Sequence, residues 1–305
     1  MASKRRKSKM EFSPVIGSLT ASEASLKLKE MGHLDAAAKI ELGRETTFSA
    51  MKWPGQAAPK PWQFTSHAFG FIRSSDGGSS QPMEIVDAGN MAPDLTLKDS
   101  RVKITLGRLR VYEYPGKGVH QILFDFYGQN QVQGQSEDLH FTQTYRVQQG
   151  EQAGIRGYPV FIGLNVGSEG VNFKCHTVNV ENEDDERFIK FLDSDVFTKG
   201  LSLISGLNPA IPVISGFAVS LTKAVESRNK NVPVQDFYLG LDFTQTPAGV
   251  RLSQGSYIAV QVPDASKWDW SEWVYNPKNG QVVPRDDPTG TVPYNYLVFN
   301  VSRMD

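Results

Sequence analysis

Apolar and polar residues alternate singly along most of this chain, as in Val102-Lys-Ile-Thr-Leu106 and Val119-His-Gln-Ile-Leu-Phe-Asp-Phe-Tyr127. Successive side chains of a strand point to opposite faces, so a period of two marks a strand with one face in a core and one outside it. The pattern predicts strands over Arg101–Tyr112, Val119–Tyr127, Leu139–Val147, Tyr158–Val166 and Val171–Val180, and again over Val234–Phe243, Arg251–Leu252, Tyr257–Val262 and Tyr294–Val301. Pro-Gly, Gly-Gln and Gly-Ser-Glu-Gly turns separate the first group, and so short a spacing favours antiparallel neighbours. The last strand is expected to return to the sheet begun near residue 101.

One block breaks that rhythm. Between Asp184 and Asn229 the apolar residues recur at helical spacing, and the final helix places Ile211, Ile214, Ala218, Leu221 and Val225 on one stripe that Val213 and Phe217 widen. Phe197, Leu201, Ile204 and Leu207 extend the apolar character upstream, Pro209 and Pro212 fall near the helix start, and Lys223, Arg228 and Lys230 close the segment with positive charge. Outside this block no helix separates successive strands, which disfavours a doubly wound α/β fold. The expected fold is mainly β: an antiparallel β-sandwich, C2-like or jelly-roll-like, with a helical insertion at 184–229 and an N-terminal helical hairpin.

Residues 1–19 are read as a disordered basic arm, because Lys4, Arg5, Arg6, Lys7 and Lys9 stand together without an acid between them. The hairpin follows at 20–47. Thr20-Ala-Ser-Glu23 fits a capping box, Gly32 is a plausible stop, and a second helix from Leu34 to Leu42 ends at Gly43. Residues 48–93 read as a loop-rich connector with one strand, Ala68–Ile72, and residues 94–305 as the sandwich domain.

At 305 residues and 39% hydrophobic composition the chain can bury about three quarters of its unfolded surface without staples. Its single cysteine, Cys175, excludes internal disulfides and thiolate zinc clusters, and its strand setting suggests a small apolar residue. With no signal peptide and no transmembrane segment in view, a cytoplasmic location is expected. The net charge of −1 supplies no global attraction to nucleic acid or anionic lipid, so nucleic acid is expected to engage the N-terminal arm only.

Candidate chemistry changes this picture little. The chain has no Gly-x-Ser-x-Gly elbow, phosphate loop, Gly-x-Gly-x-x-Gly or His-Glu-x-x-His motif. No two of its five histidines stand at metal-ligand spacing on one element; His120, His140 and His176 fall on or near strands, where sheet-face packing is the ordinary role. The acidic run Glu181-Asn-Glu-Asp-Asp-Glu186 lacks the spaced ligands of a calcium loop and reads as the first turn of a helix, where carboxylates meet the positive end of the dipole. Trp268, Trp270 and Trp273 would place two indoles on one face and one on the other if extended, either capping the core or forming a recognition surface.

No cofactor and no catalytic residue is assigned. The leading expectation is a non-enzymatic interaction or assembly protein, with a protein partner or self-association through Ile211, Ile214, Phe217, Leu221, Lys223 and the three tryptophans. Three alternatives stand beside it: a membrane-acting effector that inserts the helix near 197–230 into an anionic membrane, a capsid-like shell protein enclosing nucleic acid through its arm, and an enzyme with an unrecognised site.

Overall fold

The computed structural model describes residues 12–41, 59–74, 81–132, 135–181, 201–203, 211–227, 230–244 and 249–304. In chain order these form α1 (Ala21–Glu30), α2 (Leu34–Glu41), β1 (Ser66–Arg73), β2 (Met83–Glu84), β3 (Val86–Asp87), β4 (Arg101–Arg110), β5 (Val119–Val132), β6 (Gln135–Gln148), β7 (Tyr158–Asn165) and β8 (Gly170–Val180). They continue with β9 (Leu201–Ser202), α3 (Ile211–Glu226), β10 (Val232–Asp242), β11 (Val250–Arg251), β12 (Gly255–Val262), β13 (Trp273–Asn276), β14 (Gln281–Pro284) and β15 (Tyr296–Met304). The predominance of antiparallel strands is as the alternation predicts.

Seven strands in the order β3-β1-β12-β15-β4-β7-β9 make one sheet and five in the order β11-β10-β8-β5-β6 make another. Pairing is antiparallel except at the short strands β9 and β11. β15 lies between β12 and β4, so the C-terminal strand does return to the strand that begins at residue 101.

The two sheets meet through aromatic side chains. Phe126 of β5 sits 5.9 Å from Phe299 of β15 and 6.0 Å from Phe161 of β7, while its own sheet supplies Phe124 and Phe173 at 5.7 and 5.2 Å. These separations fall within the range of favourable ring pairs. Cys175 lies on the same inner face, fully buried, and burial pushes its thiol well above the ordinary range. At one end the core is polar and hydrogen-bonded: Gln235 donates to the Tyr114 hydroxyl at 2.6 Å, which lies 2.9 Å from the Thr177 hydroxyl, and Asn295 donates to Gln261 at 2.9 Å. Buried polar groups paired in this way favour one register of the sheets over slipped ones.

The helical hairpin forms as read as far as Glu41, and the stop read at Gly43 lies outside the described residues. Thr20 accepts from the Glu23 amide, Glu23 accepts from the Thr20 amide, and Gly32 ends α1 with a φ of 84°, a left-handed value that favours glycine. Ala24, Leu28, Met31 and Ala37 are buried in the main core, which docks the hairpin on the sandwich.

Four local readings change. Residues 12–19, read as the end of a disordered arm, are ordered on the sheets, because Ile16 is buried in the main core. The sandwich recruits β1 from the segment read as a connector, because its Phe71 and Ile72 serve cores on the two faces of the larger sheet. Inside the block read as helical, Leu201–Ser202 pairs in parallel with β7. The Trp268–Trp273 run is not extended: tight turns at Ala265–Lys267 and Trp270–Glu272, each opened by an aspartate accepting an amide two residues on, fold the segment back on itself. Among the described residues no helix is long and apolar enough to cross a membrane.

Candidate functional site

The outer face of the five-stranded sheet concentrates the ionisable side chains. Because Phe124, Phe126, Cys175 and Phe237 point inward, their strand neighbours point outward. The register then aligns Thr142, Asp125, His176 and Asp236 across four adjacent strands, with His140, Tyr127, Lys174 and Tyr238 as the next row. His140 and Thr142 approach the same Asp125 oxygen at 3.3 and 3.4 Å, with all three residues buried.

α3 lies over part of this face. Leu221 and Val225 pack on Leu123, Val178 and Val180, and Ala218 is buried on the same side of the helix. Asn231 donates to the Val225 carbonyl at 2.9 Å and accepts from the Glu181 amide, tying the helix end to the last residues of β8. Glu226 then reaches His176, its Oε1 at 2.5 Å from Nε2, and its other oxygen accepts the Ser13 amide at 2.9 Å. Phe12 stacks on the His176 ring at 4.7 Å, and Lys174 Nζ lies 4.9 Å from the Phe12 ring and 5.0 Å from the Tyr238 ring. One residue, Glu226, therefore joins the helix, the sheet and the segment entering from the N-terminal side.

Burial disfavours charge on His176, but Asp236 and Glu226 outweigh it and hold the imidazole pKa above its ordinary value. Burial likewise works to raise Asp236, and the neighbouring His176 and Lys174 override it and hold the carboxyl below the usual range. The two shifts act at opposite ends of the pH scale. Stabilisation by the His176 imidazolium is complete below the ordinary histidine value and is lost as pH rises through the raised folded value, whereas the Asp236 contribution is lost as pH falls through its lowered one. Amide protection along α3, measured by hydrogen exchange and corrected for intrinsic rates, is thus expected to fall on going from neutral to alkaline pH. A His176→Gln variant should lose that dependence; an unchanged profile would mean that His176 does not hold the helix.

The residues singled out from sequence are dispersed. Lys4, Arg5, Arg6, Lys7 and Lys9 lie outside the described residues, as do the acidic residues 183–186. Ile211, Ile214 and Phe217 belong to the first half of α3, where only the backbone is described. Leu221 is buried and Lys223 is exposed. Trp268 stacks on Trp273 at 5.2 Å and meets Trp270 edge-on at 5.5 Å, so the three indoles share one cluster. That cluster covers the outer face of the larger sheet, where Trp270 packs with Ile85, Ile258 and Val260. Asp287 closes its own turn by accepting from Thr289.

His140 and His176 do converge, on either side of Asp125, but His120 lies apart with His33 at the sheet rim. Among the described residues no group of three histidine, cysteine or carboxylate side chains is arranged to hold a metal ion. Phe12, Tyr127, Lys174, Glu226 and Tyr238 were not flagged as functional from sequence. The alternation does place Tyr127, Lys174 and Tyr238 on outward positions; their adjacency depends on a register between strands far apart in the chain.

No family model, curated protein or solved structure matches the chain. Fold and site together define a mostly β protein of antiparallel sheets with a helix held over one outer face by the buried Glu226–His176 pair and by apolar packing.

Proposed function

We propose that this chain is a non-enzymatic assembly protein that associates with copies of itself through the part of the five-stranded face that α3 leaves open. The observation carrying this reading is Tyr238, which is 70% exposed in the middle of a strand. Its ring lies against Lys174, so the aromatic side chain is braced on the sheet before any partner arrives. Tyr127, on the far side of Lys174 in the same row, donates to Asp138 at 2.6 Å and is likewise fixed. Braced tyrosines contribute large contact area with little rotamer entropy left to lose, which suits the centre of an interface.

A second copy is the favoured occupant because the patch carries both signs of charge, Lys174 with Asp138 and Asp236, as a self-complementary two-fold contact requires. The net charge of −1 also leaves little long-range repulsion between copies. His176 is engaged with Glu226 beneath Phe12, and His140 with Asp125 on the same face, which supports a structural use for them over turnover.

Light scattering on the purified chain is expected to give a multiple of 33.8 kDa. Tyr238→Ala, a change at an exposed position, should weaken association by roughly 2 kcal/mol, about thirtyfold in Kd. A wild-type monomer at high micromolar concentration, or an oligomer indifferent to Tyr238→Ala, would overturn the proposal.

A further inference from the structure

Where β5 begins and β8 ends, an open cleft of about 380 Å³ is lined by His33, Lys117, Val119, His120, Arg146 and Glu181 among others. That volume lies in the range of small-molecule sites. His33 enters from the turn between α1 and α2 and sets its Nε2 3.0 Å from Glu181 Oε1. Asn179 donates to the same oxygen at 3.1 Å and to the Pro115 carbonyl at 2.7 Å, so the carboxylate is held from two sides.

Gly116, at a φ of 109°, passes over this point. A Cβ there would stand 2.9 Å from Glu181 Oε1 and 3.5 Å from both His33 Nε2 and His120 Cε1. The glycine thus keeps open the space where two imidazoles and a carboxylate meet. His120 is 3% exposed; its Nε2 makes no well-aligned hydrogen bond among the described residues, the Asn179 and Gln149 side chains lie beside the ring, and burial holds the imidazole pKa below its ordinary value. A neutral ring nitrogen without a well-aligned partner can still donate one hydrogen bond to a ligand in the cleft.

The charges select the kind of group. Glu181 is matched by His33, and burial outweighs the pull of His33, Asn179 and Lys230 to hold its carboxyl above the usual range. Lys117 and Arg146 stand exposed on the lining, and neither is ion-paired among the described residues. A cationic ligand would meet two positive side chains with one engaged carboxylate against them, whereas an anion meets both cations and the neutral His120 ring.

The geometry points to a binding site for a small phosphate-bearing ligand, gripped by Lys117 and Arg146 and hydrogen-bonded by His120 Nε2, with His33 positioned by Glu181. Phosphate fits better than a single carboxylate because a dianion with three acceptor oxygens can engage two cations and an imidazole together.

Calorimetric titration of the full chain with pyrophosphate at low ionic strength tests this, with acetate as the comparison anion. Saturable pyrophosphate binding is expected, weakened at least about tenfold by the double change Lys117→Ala and Arg146→Ala and diminished by added salt. Both side chains are exposed, so the double variant should keep its fold, which circular dichroism checks. Tyr238→Ala should bind pyrophosphate like the wild type, which separates this site from the association face. Absent binding, equal binding by the double variant, or acetate binding as tight as pyrophosphate would each overturn the proposal.

Discussion

Replacing Glu226 with alanine is expected to cost roughly 3 kcal/mol of stability and to loosen α3 from the sheet, because it removes one partner of a buried ion pair and leaves the other behind. The His176 side chain is 1% exposed, so water cannot take over the lost carboxylate. Asp236, at 3.9 Å from the other ring nitrogen, is too distant to compensate in full. The same change strands the Ser13 amide, which donates to the second Glu226 oxygen.

Glu226→Gln keeps the shape and an acceptor but not the charge, and should fall between alanine and wild type. Converting both Glu226 and His176 to leucine should recover much of the loss, since the desolvation cost disappears with the charges. The midpoints of urea denaturation, with slopes compared to exclude altered cooperativity, decide the order. A Glu226→Ala midpoint equal to that of the wild type would mean that the helix is held by Leu221 and Val225 alone.

Phe126→Ala should be at least as damaging, at roughly 3–5 kcal/mol. The ring is 2% exposed and touches four others, two of which belong to the opposite sheet. Neighbours anchored on two hydrogen-bonded sheets cannot collapse into the space, so the cavity persists and its lining loses contacts. Phe126→Leu, which fills much of the volume, should recover more than half of that loss. Tyr238→Ala provides the contrast: it removes another large aromatic side chain of the smaller sheet, but from an exposed position, and should change monomer stability by no more than about 0.5 kcal/mol. Equal losses for the Phe126 and Tyr238 variants would contradict the assignment of inner and outer faces.

The contrast between Phe126 and Tyr238 also marks how far the sequence could be read. Alternation alone separates the inward Phe124, Phe126 and Phe237 from the outward Asp125, Tyr127 and Tyr238, since a strand has two faces and a core selects one. The capping box at Thr20 and the turn at Gly32 were legible for a similar reason, each being settled within a few residues. The tryptophan run was not: an extended reading put Trp273 opposite Trp268, and aspartates closing tight turns stacked them instead.

The candidate sites lay beyond local reading. His140 and His176 are 36 residues apart in sequence, and they flank Asp125 only because β5 runs between β6 and β8. Glu226 meets His176 because α3 crosses the outer face, and His33 meets Glu181 because the hairpin docks at the rim. Side-chain periodicity reports which face a residue occupies, a property of its own segment. It does not report which strands become neighbours, because that choice is made by burying the faces of distant segments against one another. By itself, then, the sequence determined a mainly antiparallel β protein with a helical hairpin, an apolar helix late in the chain and an inward cysteine. Only the tertiary structure decided that acids and imidazoles from five elements would meet on one face of the smaller sheet, that a braced tyrosine would remain exposed beside them, and that two histidines would share a cleft with basic side chains.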